Sequence, residues 1–96
     1  MTAPKKGKEV LPEEGQMIRV KWTDILSISS WEKSLALQDI SPMECTSLGF
    51  VINIGDEVLR MCATIGLTAD PNSPLLNDSM VIPRSVIRSI EILETT

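Results

Sequence analysis

The chain contains no histidine and no tyrosine, so any chemistry it performs must come from its two tryptophans, two cysteines, carboxylates and basic side chains. Nucleophilic catalysis of the Ser/His or Cys/His kind needs a base that titrates near neutrality, and no imidazole is present to serve. Cys45 and Cys62 offer two thiolates, short of the four nitrogen or sulfur ligands that tetrahedral zinc requires. Asp56 and Glu57 are adjacent in a turn-forming stretch, where solvation explains them, and Asp70 with Asp78 lacks the spacing of a calcium loop. The five glycines are scattered rather than gathered into a phosphate cradle. These residues predict no catalytic group, no metal site, no cofactor and no enzyme.

Two sets of residues remain as binding candidates. Trp31, Arg19 and Arg60 combine a flat aromatic face with guanidinium forks, the groups that would hold a small anionic ligand such as a nucleotide. Asp70, Leu75 and Leu76 fall in the connection 67–79, whose length exceeds that of an ordinary loop and so suggests a partner contact. Leu75 and Leu76 either stand exposed there or tuck over the end of the fold, and the tuck is the expectation. Trp31, outside the strands, is either a lid on the core or an exposed stacking surface. Asp24, two residues beyond Trp22 in the alternation, is expected to cap a backbone amide at a strand end rather than face a pocket.

Length and charge limit what can position these groups. Ninety-six residues allow one small core and exclude a two-domain enzyme. Nine Lys and Arg against 13 Asp and Glu leave a net charge of −4, which argues against a phosphate backbone as main partner. No apolar run approaches the roughly 18 residues of a membrane span, and Met1 to Lys8 is basic without the apolar segment of a secretion signal, so a cytoplasmic protein with reduced thiols is expected. Residues 1–16, with Lys and Glu in balance and only Val10 and Leu11 as a bulky apolar pair, are expected to be a flexible tail ahead of a domain at 17–96.

The domain reads as a series of short strands. Ile18, Val20 and Trp22 alternate with Arg19, Lys21 and Thr23, the period of a half-buried strand. A hairpin follows over 46–65, with Gly55-Asp56 suited to a type II′ turn. Pairing Ile54 with Glu57 then sets Ile52 against Leu59, Phe50 against Met61 and Leu48 against Ala63, which places Leu48, Phe50, Ile52, Leu59 and Met61 inside. The same register separates Cys45 from Cys62 by four ladder positions, too far for a disulfide. Between strand and hairpin, Ser29-Ser30-Trp31-Glu32 matches a capping box and a short helix fits 33–38. At the C-terminus Met80-Val81-Ile82, a turn at Pro83-Arg84-Ser85 and a final strand over 86–93 complete the chain.

Five strands with the last two joined by a single turn at Ile82-Pro83-Arg84-Ser85-Val86-Ile87 resemble the SH3-like and Sm-like class of small barrels over about residues 17–93. More narrowly, Trp22-Thr23-Asp24, Trp31, Cys45-Thr46-Ser47-Leu48-Gly49-Phe50 and Ile82-Pro83 are similar to a group of small phage and prophage proteins, to which no activity is attached. The resemblance implies an all-β five-stranded barrel. Sm-like relatives bind RNA through rings of subunits, but no nucleotide-binding loop of theirs can be matched to residues here.

The function expected is a non-catalytic, phage-type binding module acting through contacts with a host or phage protein or through self-assembly into a homo-oligomer. An oligomeric protein that sequesters a small anionic ligand is the alternative, and an RNA-binding Sm-like protein the second.

Overall fold

The computed structural model describes residues 11–93. The chain is mostly β: strands β1 (Met17–Asp24), β2 (Met43–Ile54), β3 (Val58–Gly66), β4 (Leu75–Pro83) and β5 (Ile87–Ile92) form one antiparallel sheet in the order β4-β3-β2-β1-β5. The sheet is open, since no ladder joins β4 to β5. A three-residue 3-10 turn, Arg84–Val86, links those two edge strands.

The alternation in β1 is realised as written. Ile18 and Val20 are fully buried and Trp22 packs beside them. Around them gather Val51 of β2, Leu59 and Met61 of β3 and Ile82 of β4, with Val86, Ile87, Ile90 and Ile92 closing the far side. Contributions from every strand mean that the sheet curls around this cluster. Burying each such side chain is worth about 1.5–3 kcal/mol.

The β2–β3 hairpin differs from its expected register. Gly55 donates its N–H to the Val58 carbonyl at 2.9 Å, so Gly55 belongs to the closing pair and Asp56-Glu57 form the turn. Pairing then runs Ile54 with Leu59 and Asn53 with Arg60, slips at Ile52, and resumes with Val51 opposite Met61 and Phe50 opposite Cys62. The bulge turns Val51 into the core, while Phe50 and Ile52 are only half-buried. Leu48, expected inside, is 61% exposed. Leu59 and Met61 lie inside as expected, and Cys62 beside them is buried as well.

Pairing between β2 and β3 ends at Phe50 and Cys62. Before that point β2 pairs only with β1, from Met43 opposite Asp24 to Phe50 opposite Met17. Beyond it β3 pairs only with β4, out to Gly66 opposite Leu75. The sheet therefore forks into a β1–β2 ribbon and a β3–β4 ribbon. Gly49 sits in the crotch, where a Cβ would lie 2.6 Å from the Cys62 carbonyl oxygen, closer than any side chain is accommodated.

Two connections differ from expectation. The helix is only Ser34–Leu37, and the expected capping box does not start it: its N-cap is Lys33, without a side-chain cap, while Ser30 hydrogen-bonds Glu32 locally. The expected loop 67–79 is shorter, because residues from Leu75 onward extend β4 along β3. Asp78, at a positive φ of 57°, interrupts that pairing between Asn77 and Ser79.

Residues 1–10 of the expected tail lie outside the described residues. Over 13–16 a turn with Gly15 at φ 89° is closed by the Gln16 N–H on the Glu13 carbonyl at 3.0 Å, a conformation that glycine adopts without strain. Gly15 and Gln16 then exchange hydrogen bonds with Val51 at 2.8 and 2.9 Å, and Pro12 is buried.

Candidate functional site

The cations singled out from sequence lie on different strands, Arg19 on β1 and Arg60 on β3, and each has a partner, as has Arg88 on β5. Arg19 pairs with Glu91 of β5. Arg88 donates from Nε to the Thr23 hydroxyl at 2.9 Å, and Thr23 donates to the Glu44 carboxylate at 3.1 Å. On β3, Arg60 donates to the Asn53 side-chain oxygen at 3.1 Å. Opposite charges on neighbouring strands thus give a locally neutralised polar surface, in which the guanidinium groups of Arg19 and Arg60 already hold protein acceptors.

Trp31 lies elsewhere, fully exposed in the connection between β1 and β2. Its two readings resolve toward the exposed surface. Three cavities among the described residues are lined without Trp31, Arg19 or Arg60. Trp22 has a different setting, half-buried against the core with its indole N–H donated to the Ser47 hydroxyl at 3.0 Å. Asp24 caps a backbone amide as expected, accepting the Ile25 N–H at 2.9 Å.

The partner candidates separate by role. Asp70 organises the turn after β3: its carboxylate accepts the Asn72 N–H at 2.9 Å and its carbonyl accepts the Ser73 N–H at 3.0 Å. The Thr68 hydroxyl bonds to the Asp70 carbonyl at 2.8 Å. Leu75, 71% exposed, does not tuck over the end of the fold, whereas Leu76, 40% exposed, lines with Ile65 and Pro74 a cavity over Gly15, Val51 and Cys62.

Sequence reasoning named Trp31 but missed its surroundings. Ile25, Leu26 and Ile28 before it, and Leu35, Leu37, Ile40 and Met43 after it, are all exposed. Every residue from Ile25 to Glu44 is exposed, and the helix Ser34–Leu37 buries nothing. Connections are ordinarily polar, so this density of large apolar side chains between two strands was the available signal.

Between the ribbons lies a cavity of about 380 Å³, walled by Leu48 on one side and Met80 on the other, with Met61 and Cys62 at its base. A second, also about 380 Å³, is formed at the hairpin tip by Asp56, Glu57 and Val58 against Pro83, Arg84 and Ser85. There the Arg84 guanidinium donates to the Gly55 carbonyl at 2.9 Å and its N–H to that of Glu57 at 2.8 Å, so the turn is fastened to the 3-10 segment. Among the described residues no group of three or more carboxylate or thiol side chains is placed to hold a metal ion. Cys45, opposite Trp22 on the β1–β2 ribbon, and Cys62 are both free thiols. No described helix is long and apolar enough to cross a membrane. Compared with known protein families, curated proteins and solved structures, the chain gives no match.

Proposed function

We propose that the chain is a small, non-catalytic binding module of phage type that acts through protein–protein contacts, its own copies included. The observation that carries this reading is the fully exposed Trp31, set among further exposed apolar side chains on one connection. Monomeric soluble proteins rarely leave a contiguous apolar patch larger than a few hundred Å² in water, and aromatic residues are enriched at the centres of contact surfaces. The lack of histidine and the partnered arginines support a role in binding rather than in catalysis or anion capture.

For the fold we propose the SH3-like or Sm-like small-barrel class, here with the seam between β4 and β5 left open. In support, the 3-10 segment Arg84–Val86 brings together the two strands that would have to meet to close such a barrel, and β2 divides its pairing between two neighbours as closure requires.

Fluorescence tests the functional reading. Trp22 is fixed in the folded body and Trp31 is fully exposed, so an emission from Trp31 that does not change across a panel of nucleotides is the expected result. Quenching by a nucleotide that disappears in Arg19→Ala or Arg60→Ala would replace this reading with anionic-ligand sequestration.

A further inference from the structure

We infer that the fork between the β1–β2 and β3–β4 ribbons is the seat for the β1–β2 connection of a second copy of this chain, the two copies exchanging these arms. The inference rests on the binding-module reading and names its partner.

The fork presents unmet backbone groups. Along residues 43–49 β2 has β1 on one side and no strand on the other, and along 63–66 β3 has only β4. Such edges are templates for a further segment of chain, and main-chain donors and acceptors there bond to one or remain in water. Leu48, Met61 and Met80 line the fork together with Ser47, Asp78 and Ser79. The seat thus combines hydrogen-bonding edges with a lining that is apolar in part and polar in part.

The arm has the matching character. Seven large apolar side chains between Ile25 and Ile40 are exposed. At on the order of 100 Å² of exposed apolar surface apiece they amount to roughly 700 Å², close to the contribution of one partner to a standard stable interface. Charge points to the same occupant. Residues 25–43 and 63–81 together hold five charged side chains in 38 positions, where the chain's 23% would place about nine. Depletion of charge marks the core of lasting interfaces, and homodimer interfaces are the most apolar. Since each copy carries both an arm and a fork, a two-fold arrangement satisfies both surfaces twice and closes the assembly.

The test is the mass of the purified full chain by light scattering at micromolar concentration, with two variants. Ile25→Ser/Trp31→Ser/Leu35→Ser alters only arm residues exposed by 78% or more. Leu48→Asp places a charge in the wall of the fork. A wild-type mass that is a multiple of 10.6 kDa is expected, falling to 10.6 kDa in each variant while the far-UV circular dichroism stays unchanged. Amide protection over 43–49 and 63–66 should fall about tenfold or more with it. A wild type of 10.6 kDa, or an assembly that both variants leave intact, overturns the inference. Neither result decides the binding-module reading, which stands or falls on the nucleotide titration.

Discussion

Leu59 and Leu35 are the same residue in the same chain, yet one is wholly buried and the other is 78% exposed. Leu59 belongs to the base of the sheet, where all five strands contribute to the buried apolar cluster, β4 through Ile82. Leu35 belongs to the arm between β1 and β2, which, like the outer β3–β4 ribbon, has apolar side chains but nothing in its own chain to cover them. The difference lies in the neighbours. A strand flanked on both sides by others is given a face to bury, whereas a strand pair or a connection with one neighbour has two faces and one companion. The base holds the fold together; the arm and ribbon hold surface in reserve.

That contrast can be broken at several points. Leu59→Ala should have the largest effect, a loss of about 2–5 kcal/mol that would unfold much of a domain with a stability of about 5–15 kcal/mol. Leu35→Ala, measured by urea unfolding at a dilution where the protein is a single chain, should change stability by no more than about 0.5 kcal/mol. Equal losses for these two leucines would abolish the distinction between base and arm. Gly49→Val should come next, costing on the order of 1–3 kcal/mol, since its Cβ would collide with the Cys62 carbonyl and force the ribbons apart. An unchanged urea midpoint would show that the crotch of the fork is looser than its geometry. Trp22→Phe keeps an aromatic ring against the core but removes the hydrogen bond to Ser47, for an expected loss of about 1 kcal/mol. The smallest effect belongs to the exposed Arg19–Glu91 pair, whose coupling in a double-mutant cycle should be about 0.2–1 kcal/mol and should shrink as salt is raised.

The base was the legible part of the sequence. Ile18, Val20 and Trp22 alternate cleanly with polar residues, and a strand with one apolar side has only one way to face. The hairpin was harder for the same reason in reverse: Phe50-Val51-Ile52 is apolar on both sides, so a slip of one residue exchanges one apolar set for another. The bulge at Ile52 leaves no mark in such a run. β4 was cut short because Asn77-Asp78-Ser79 has the composition of a loop, and only β3 alongside, which pairs Thr64 with Asn77, makes it a strand. At the candidate site, residue type left Trp31 open between a lid on the core and an exposed surface and gave Arg19 and Arg60 chemistry suited to an anion. It could not reveal that Glu91 and Asn53, distant or unremarked in sequence, would occupy those two guanidinium groups. The exposure of Leu75 was equally hidden, because it follows from how far β3 and β4 run on together past the end of the β2–β3 pairing.

The pairing of Ile18 with Ile92 also sets the order of events at the ribosome. In the finished sheet β1 is flanked by β2 and by β5, so its second side stays open until β5 has left the exit tunnel. A nascent chain ending before Ile87 can form the β2–β3–β4 meander from contacts near in sequence, but it leaves Ile18 and Val20 without the Ile90 and Ile92 that cover them. Closure by sequence-distant strands is slow, and partly built sheets with bare edges are prone to aggregate. For this chain the hazardous interval is the span of synthesis between β1 and β5, and it ends when β5 has emerged.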